Sequence, residues 1–247
     1  MPELSLVIAA YNEEYRLPPT VDKTISYLYG HKISFEILIV NDGSKDNTET
    51  VVKKLTSKYP EIRILSHYPN KGRGASIREG ILNARGKFVL ESDADGSVHP
   101  EAIKRFLLIM RERDDVDLII GSREMKDSVI TEPQPFLRVF LGYGFIYLTK
   151  LIFWAWHIHD FTLGFKMFRL ETAQDIFKYQ FDDHYVAEAE IIFVARKRKW
   201  RLLELPVTWS DNRDSRVRPF RDSIRSFRGL ATLLLRSLKG QYGTRYT

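Results

Sequence analysis

The run EILIVNDGSKDNTETVVKKLTSKYPEIRILS, residues 36–66, carries four aliphatic residues in a row, Ile37 to Val40, then a polar loop, DGSKDNT, then a helix-like stretch over 46–59, then a second apolar run, IRILS. A buried strand, a turn, a helix and another strand account for that order. Similar runs stand at LSLVIAA (4–10), KFVLES (87–92) and DLIIG (117–121), with a further helix over 73–85. They follow one another at intervals of roughly 25 to 30 residues, as βα units do. Near-continuous apolar character in each implies strands covered on both faces, hence an α/β fold with a mostly parallel sheet and flanking helices. The loops after four of these runs are YNEE, DGSKDNT, NKGRGAS and DADGS. Ligands of open α/β sheets bind outside the carboxyl ends of the strands, so these loops are expected to converge on one crevice.

The chain has 247 residues, 44% of them hydrophobic, enough to bury one generous core. It contains no cysteine, which excludes disulfides and thiolate metal sites. The formal charge of +6 belongs to the tail: residues 211–247 hold nine Lys/Arg against three Asp, and the rest holds 29 of each sign. A basic tail suits an anionic membrane surface or nucleic acid, and equally a solvated helix face. Over Phe220 to Lys239 it is amphipathic, with Ile224, Phe227, Ala231, Leu234 and Leu238 at helical spacing. An aromatic segment at 136–158 has only eleven residues between Arg138 and Lys150, well short of the ~20 a spanning helix needs. It is expected to lie in an interface or against the sheet. The opening apolar run is too short, and lacks the basic leader, for a secretory signal. A "GFKMFR" run (164–169), a helix near 187–199 and one strand-like run at 202–209 complete the pattern; position 122 divides the sheet from what hangs on it.

Asp93 and Asp95, one residue apart at the end of the fourth run, can face one side if the strand continues through them. Adjacent carboxylates raise each other's pKa, and a divalent ion relieves the conflict; oxygen ligands fit Mg2+ or Mn2+ completed by a diphosphate. The same residues also suit an acidic turn that caps the next helix. Asp42 has the chemistry to accept N–H groups of a nucleobase, or to build a turn with Gly43 and Ser44. Lys71 and Arg73 flank a glycine in NKGRGAS, where backbone can approach an anion at a helix N-terminus.

The ordered set VIAAYNEE, IVNDGSKDNT, NKGRGAS, ESDADG, GSR and DFTLGFKMFR resembles the GT-A glycosyltransferases that use nucleotide sugars, and among them the polyprenyl-phosphate sugar transferases. Dolichyl-phosphate glucosyltransferases match best, with dolichyl-phosphate mannose synthases next. The likeness runs from Leu4 to about Leu238. It implies a single GT-A domain with a nucleotide-binding half (1–122), an acceptor-binding half (123–216) and a basic amphipathic tail (217–247) at the membrane interface. It implies that Ala10, Tyr11, Glu13, Asp42, Lys71 and Asp93 hold the donor nucleotide, and that Asp95, with Asp93, holds the metal. Arg123 and Arg138 match acceptor-phosphate arginines, and Asp160, Gly164 and Lys166 match an element near the sugar. Asp95, Asp160, Arg123 and Arg138 would carry catalysis. The sequence departs from the family at Ala9, where proline is usual, at Asn41, in place of an aspartate, and at Ser97, where some relatives have glutamine.

The implied reaction moves a hexose, glucose from UDP-glucose before mannose from GDP-mannose, to a polyprenyl or dolichyl phosphate with inversion, on the cytosolic face of a membrane. A lipid phosphate is largely ionised at neutral pH and needs no strong base. A soluble glycan acceptor would need one, and Asp160 is the candidate. A non-catalytic nucleic-acid binder is the remaining alternative; the tail lacks a recognition motif for it, and nucleic acid is not an expected partner.

Overall fold

The computed structural model describes residues 1–132, 136–184, 186–211 and 219–243, with backbone alone at 136–138 and 219–224. Parallel strands β1 (Leu4–Ala10), β2 (Phe35–Asp42), β3 (Ile62–His67) and β4 (Phe88–Asp93) alternate with helices α1 (Leu17–Gly30), α2 (Thr48–Lys58) and α3 (Arg73–Leu82). After α4 (Glu101–Glu112) come β5 (Leu118–Ser122), β6 (Val129–Glu132), α5 (Phe136–Phe153), β7 (Lys166–Arg169), α6 (Leu170–Lys178) and α7 (Ala187–Lys197). The chain then forms β8 (Leu202–Pro206), β9 (Thr208–Ser210) and α8 (Pro219–Leu238). The main sheet has the order β3-β2-β1-β4-β7-β5-β8. All its pairs are parallel except those of β7, which runs against both β4 and β5.

Side-chain alternation explains the two layers. Leu6, Ile8, Ile37, Ile39 and Leu90 face one side with residues of α1, α2 and α4, while Val7, Leu38 and Val89 face the other with residues of α3, α6 and α7. Each fully buried aliphatic or aromatic side chain contributes roughly 1.5–3 kcal/mol, which explains why these strands read as unbroken apolar runs. Turn chemistry sets the helix starts: Asp46 Oδ1 accepts the Thr48 N–H at 3.0 Å, and prolines occupy the first turn of α1.

One local expectation changes. The 202–209 run is two strands in two sheets, because Pro206 ends the pairing with β5 and Val207 turns away. The Val207 N–H donates to the Ser122 carbonyl at 3.1 Å, and its own carbonyl accepts the Val129 N–H at 3.1 Å, which leads into the β6–β9 pair. The aromatic segment is helical only to Phe153; Trp154, at φ +51°, ends it. Phe145, Ile146 and Phe153 are buried, whereas Phe140, Tyr147, Leu151 and Trp154 (73% exposed) are not. α5 thus buries one face, against α8 and α7, and leaves an aromatic one open. On α8, Leu230 and Leu233 turn inward and Phe227, Leu234, Leu235 and Leu238 (77% exposed) stay uncovered. Among the described residues no helix is long and apolar enough to cross a membrane.

Candidate active site

The carboxyl ends of β1 and β2 are fastened to each other. Asn12 adopts φ +55°, a conformation asparagine tolerates. Its N–H donates to Ser44 Oγ at 2.9 Å, and its Oδ1 accepts the Lys45 N–H at 2.7 Å. The Glu13 N–H donates to Thr48 Oγ1 at 2.7 Å, and the Glu13 carboxylate accepts Arg16 Nε at 2.7 Å. Ala10 ends β1 fully buried, and Tyr11 beside it is half-buried.

Asp42 ends β2 and organises the third loop. It accepts the Lys71 N–H (2.7 Å), the Gly72 N–H (3.0 Å) and Asn70 Nδ2 (2.8 Å), and His67 Nε2 lies 2.6 Å away. Both carboxylate oxygens are therefore engaged, and reading a base with this side chain requires exchanging some of those bonds. Lys71 is exposed, and among the described residues its ammonium has no ion-pair partner. That leaves a cation available at the mouth of the cleft.

β4 stops at Asp93, so strand alternation does not carry through to Asp95. The chain turns at Ala94, Asp95 Oδ1 accepts the Ser97 N–H at 3.0 Å, and Gly96 takes φ +66°. The turn closes well before α4 and does not cap it. The two aspartates still feel each other: burial raises the Asp93 pKa, Arg73 opposes this, and the Asp95 charge adds to the rise. Asp95 also lines a cavity of about 320 Å³ with Thr20, Ile8 and Ile103.

Beneath these aspartates lies a closed cluster of charges that sequence reasoning missed. Arg73 Nε donates to Asp93 Oδ1 at 2.9 Å, and its Nη1 meets Glu188. The Lys166 ammonium contacts the same Glu188, Glu91 Oε1 at 3.3 Å and the Leu163 carbonyl at 2.6 Å. Lys166, expected near the sugar, is only 1% exposed and is spent on this cluster. Burial and the neighbouring Glu188 push the Glu91 carboxyl up to about 8, although Lys166 and Arg73 oppose the rise. For Glu188 burial acts in the same direction, but Arg73 and Lys166 prevail and hold it down. Glu91 Oε2 is buried with no donor to meet it, and a proton carried by Glu91 and offered to Glu188 resolves the conflict. Two cations then face two carboxylates. Gly164 seals the top, since a Cβ there would lie 2.0 Å from Arg73 Nη2 and 2.9 Å from Asp93 Oδ1.

The loop that leads to Gly164 carries Asp160, which is 1% exposed. Its Oδ2 accepts Arg123 Nε at 2.8 Å and its Oδ1 accepts Arg123 Nη2 at 3.0 Å, a two-pronged pair, and Oδ1 also takes the Thr162 and Leu163 N–H groups. Burial alone would raise its pKa, but Arg123 and these N–H groups hold it far below the usual carboxylate range. Arg123 Nη2 also reaches Thr162 Oγ1 at 2.7 Å, and the guanidinium lies over the Trp209 ring at 5.4 Å. Among the described residues its Nη1 has no partner, which leaves a rigidly held donor for an anion. Asp93 is close enough for its charge to act on Arg123, so the residues at the ends of β4 and β5 lie near one another. Arg138 lies on α5, but its side chain is outside the described residues.

No three His, Asp or Glu side chains among the described residues gather to hold a metal. Asp95 fits a hard divalent ion nonetheless: its Oδ2 makes no hydrogen bond among the described residues, and the rest of an oxygen shell falls to water and a diphosphate. Asp93, two residues before it, is held by Arg73.

Residues 5–177 match the model for "Glycosyl transferase family 2". The chain is 36% identical over 248 residues to a dolichyl-phosphate beta-glucosyltransferase of Dictyostelium discoideum, covering 96% of this chain and 75% of that one. A human protein of the same name is 29% identical, over 97% of this chain and 77% of its own. Among solved structures, glucosyl-3-phosphoglycerate synthase from Mycobacterium tuberculosis, in complex with Mn2+, UDP-glucose and phosphoglyceric acid, superposes with a TM-score of 0.66. It shares 16% identity, over 100% of this chain and 81% of that one, which bears on the fold alone.

Proposed function

Because the chain belongs to glycosyl transferase family 2, we propose that it moves glucose from UDP-glucose to the phosphate of dolichol or another polyprenol. The reaction takes place at the cytosolic surface of a membrane and inverts the anomeric carbon. The observation that carries this reading is the state of Asp160: buried, ionised and clamped on Arg123, it is a poor proton acceptor near neutral pH. An acceptor must therefore bring its own charged oxygen, as a phosphate monoester does. The names of the relatives support the same acceptor and sugar.

In this mechanism the interlocked loops of β1 and β2, with Asp42 and Tyr11, hold the nucleoside, and the Lys71 ammonium meets the diphosphate. Arg123 Nη1, with Arg138, grips the acceptor phosphate. An acceptor oxygen forms the new bond to the anomeric carbon as the bond to UDP breaks, and the leaving pair of electrons goes to the diphosphate. Asp95 and Asp93 would hold a divalent ion, Mg2+ or Mn2+, which when bound would supply charge neutralisation for that leaving group. Everything else is alignment of two anions by fixed cations. The open apolar faces of α5 and α8 with their arginines suit the headgroup zone where such a lipid shows its phosphate.

Calorimetry with UDP and GDP, with Mn2+ and with chelator, and transfer to a short polyprenyl phosphate test the reading together. Uridine-selective, metal-dependent binding is expected, and Asp95→Ala should cut transfer by roughly 100-fold or more. Guanosine selectivity would reject the donor, binding unchanged in chelator would reject the metal, and a wild-type chain inert towards the lipid phosphate would reject the acceptor.

A further inference from the structure

The third loop, which in the proposed function receives the donor diphosphate, leans on the segment 180–184. The Gly74 and Ala75 N–H groups donate to the Asp183 carbonyl at 2.9 and 3.3 Å. Arg78 Nη2 reaches Asp183 Oδ1 at 2.7 Å, and its Nη1 reaches the Gln180 carbonyl at 3.2 Å. The approach is so close that a Cβ on Gly72 would lie 2.3 Å from the Asp183 carbonyl oxygen, and one on Gly74 2.6 Å from that of Asp182. With no slack between them, a shift of 180–184 shifts 70–75.

Segment 180–184 is held in turn by Glu190 on α7. Glu190 Oε2 accepts the Phe181 N–H at 2.9 Å and the Asp182 N–H at 2.7 Å, while Oε1 accepts the Tyr242 hydroxyl at 2.5 Å. Both Glu190 and Tyr242 are 0% exposed. Tyr242 stands in the turn beyond α8, with its ring 5.6 Å from Phe181 and 5.4 Å from Phe193, and its carbonyl accepts Arg198 Nη1 at 3.4 Å. Arg236 Nη1 waits 3.8 Å from Glu190 Oε1.

We propose that Tyr242 is a positioning residue for the nucleotide donor: acting through Glu190 and segment 180–184, its hydroxyl fixes loop 70–75. The turn after α8 thereby becomes part of the support of a loop in the first third of the sequence. Without the hydroxyl, the buried Glu190 carboxylate is one donor short, and swinging towards Arg236 restores a partner at the expense of the Phe181 and Asp182 amides. The donor loop then loses its backing although no residue touching the donor has changed. This inference rests on loop 70–75 being the donor loop.

The test compares full-length wild type and Tyr242→Phe by amide hydrogen exchange without ligand, UDP calorimetry in Mn2+, and donor and acceptor KM. Exchange should accelerate about tenfold at 70–75 and 180–184. UDP affinity should fall roughly three- to tenfold and donor KM rise to match, with acceptor KM and kcat little changed. Should Tyr242→Phe not fold, Glu190→Met, which keeps the side-chain length but accepts neither set of bonds, is expected to give the same pattern. Unchanged exchange at 70–75 with unchanged UDP affinity, alongside a lower Tm, would leave Tyr242 as an anchor of the tail only and overturn the proposal. A wild-type protein that binds no UDP would remove the donor reading, while exchange in the ligand-free protein would still decide whether Tyr242 governs loop 70–75.

Discussion

The floor of the cleft and the outer face formed by α5 and α8 handle charge in opposite ways. In the floor, Arg73, Asp93, Glu188, Lys166 and Glu91 answer one another within the chain. On the outer face Arg225 and Arg228 are exposed beside uncovered Phe227, Leu234 and Leu235. The difference follows from solvent. An unpaired charge in the buried floor costs several kcal/mol, so the cluster closes on itself; at the surface, water and salt make an unpaired arginine cheap. The closed region is built to position, and the open one has surface to spare for something outside the chain.

The contrast can be broken most sharply at Arg123. Arg123→Lys keeps the charge but loses the two-pronged grip on Asp160 and the Nη1 donor. Transfer efficiency is expected to fall roughly 100-fold through acceptor KM and kcat, with UDP affinity unchanged by calorimetry. If donor and acceptor suffer equally, Arg123 supports the fold of the cleft and does not grip the acceptor.

A smaller effect is expected on the outer face. The double substitution Leu235→Glu with Leu238→Glu should reduce flotation with anionic vesicles about tenfold and leave UDP binding intact, because both side chains are exposed. Unchanged flotation would mean that this face is merely solvated.

The smallest effect sharpens the account of the floor. A carboxyl whose pKa is higher in the folded state stabilises the fold while protonated. Its contribution is whole below the unfolded value, ~4.3, and is lost as pH climbs through the folded value, which for Glu91 is about 8. Glu91→Gln cannot ionise, so it should gain on the native chain between about pH 5 and about pH 9, read as diverging thermal melts of the two proteins. Parallel stability curves would show that Glu91 carries no proton in the floor.

The first four strands and their loops were legible because aliphatic runs such as Leu38–Val40 have no other stable home, and the polar loops after them had to meet at one edge. The direction of β7 was not legible: four residues, KMFR, carry no mark of whether their neighbours run with them or against them. Asp93 and Asp95 do stand together at the end of β4, but their spacing by two implied a strand running through both, whereas β4 stops at Asp93 and the chain turns at Ala94. Glu188 and Glu190 were passed over because the stretch near 187–199 was read only as a helix, with no face assigned to its acids. A clue was present, since residues two apart on a helix point to nearly opposite sides, so both acids cannot share one solvated face. Tyr242 gave no signal, as only the fold brings it to Glu190.

The reversal of β7 has a consequence for how such an enzyme can vary. A strand that runs backwards delivers the segment preceding it to the rim where its parallel neighbours deliver the segments following them. On the proposed function, the two substrates thereby fall to stretches of chain that can lengthen, shorten or change chemistry independently. A lineage could exchange one lipid or sugar alcohol for another by rewriting the forty or so residues ahead of Lys166 and leave the nucleotide grip as it is.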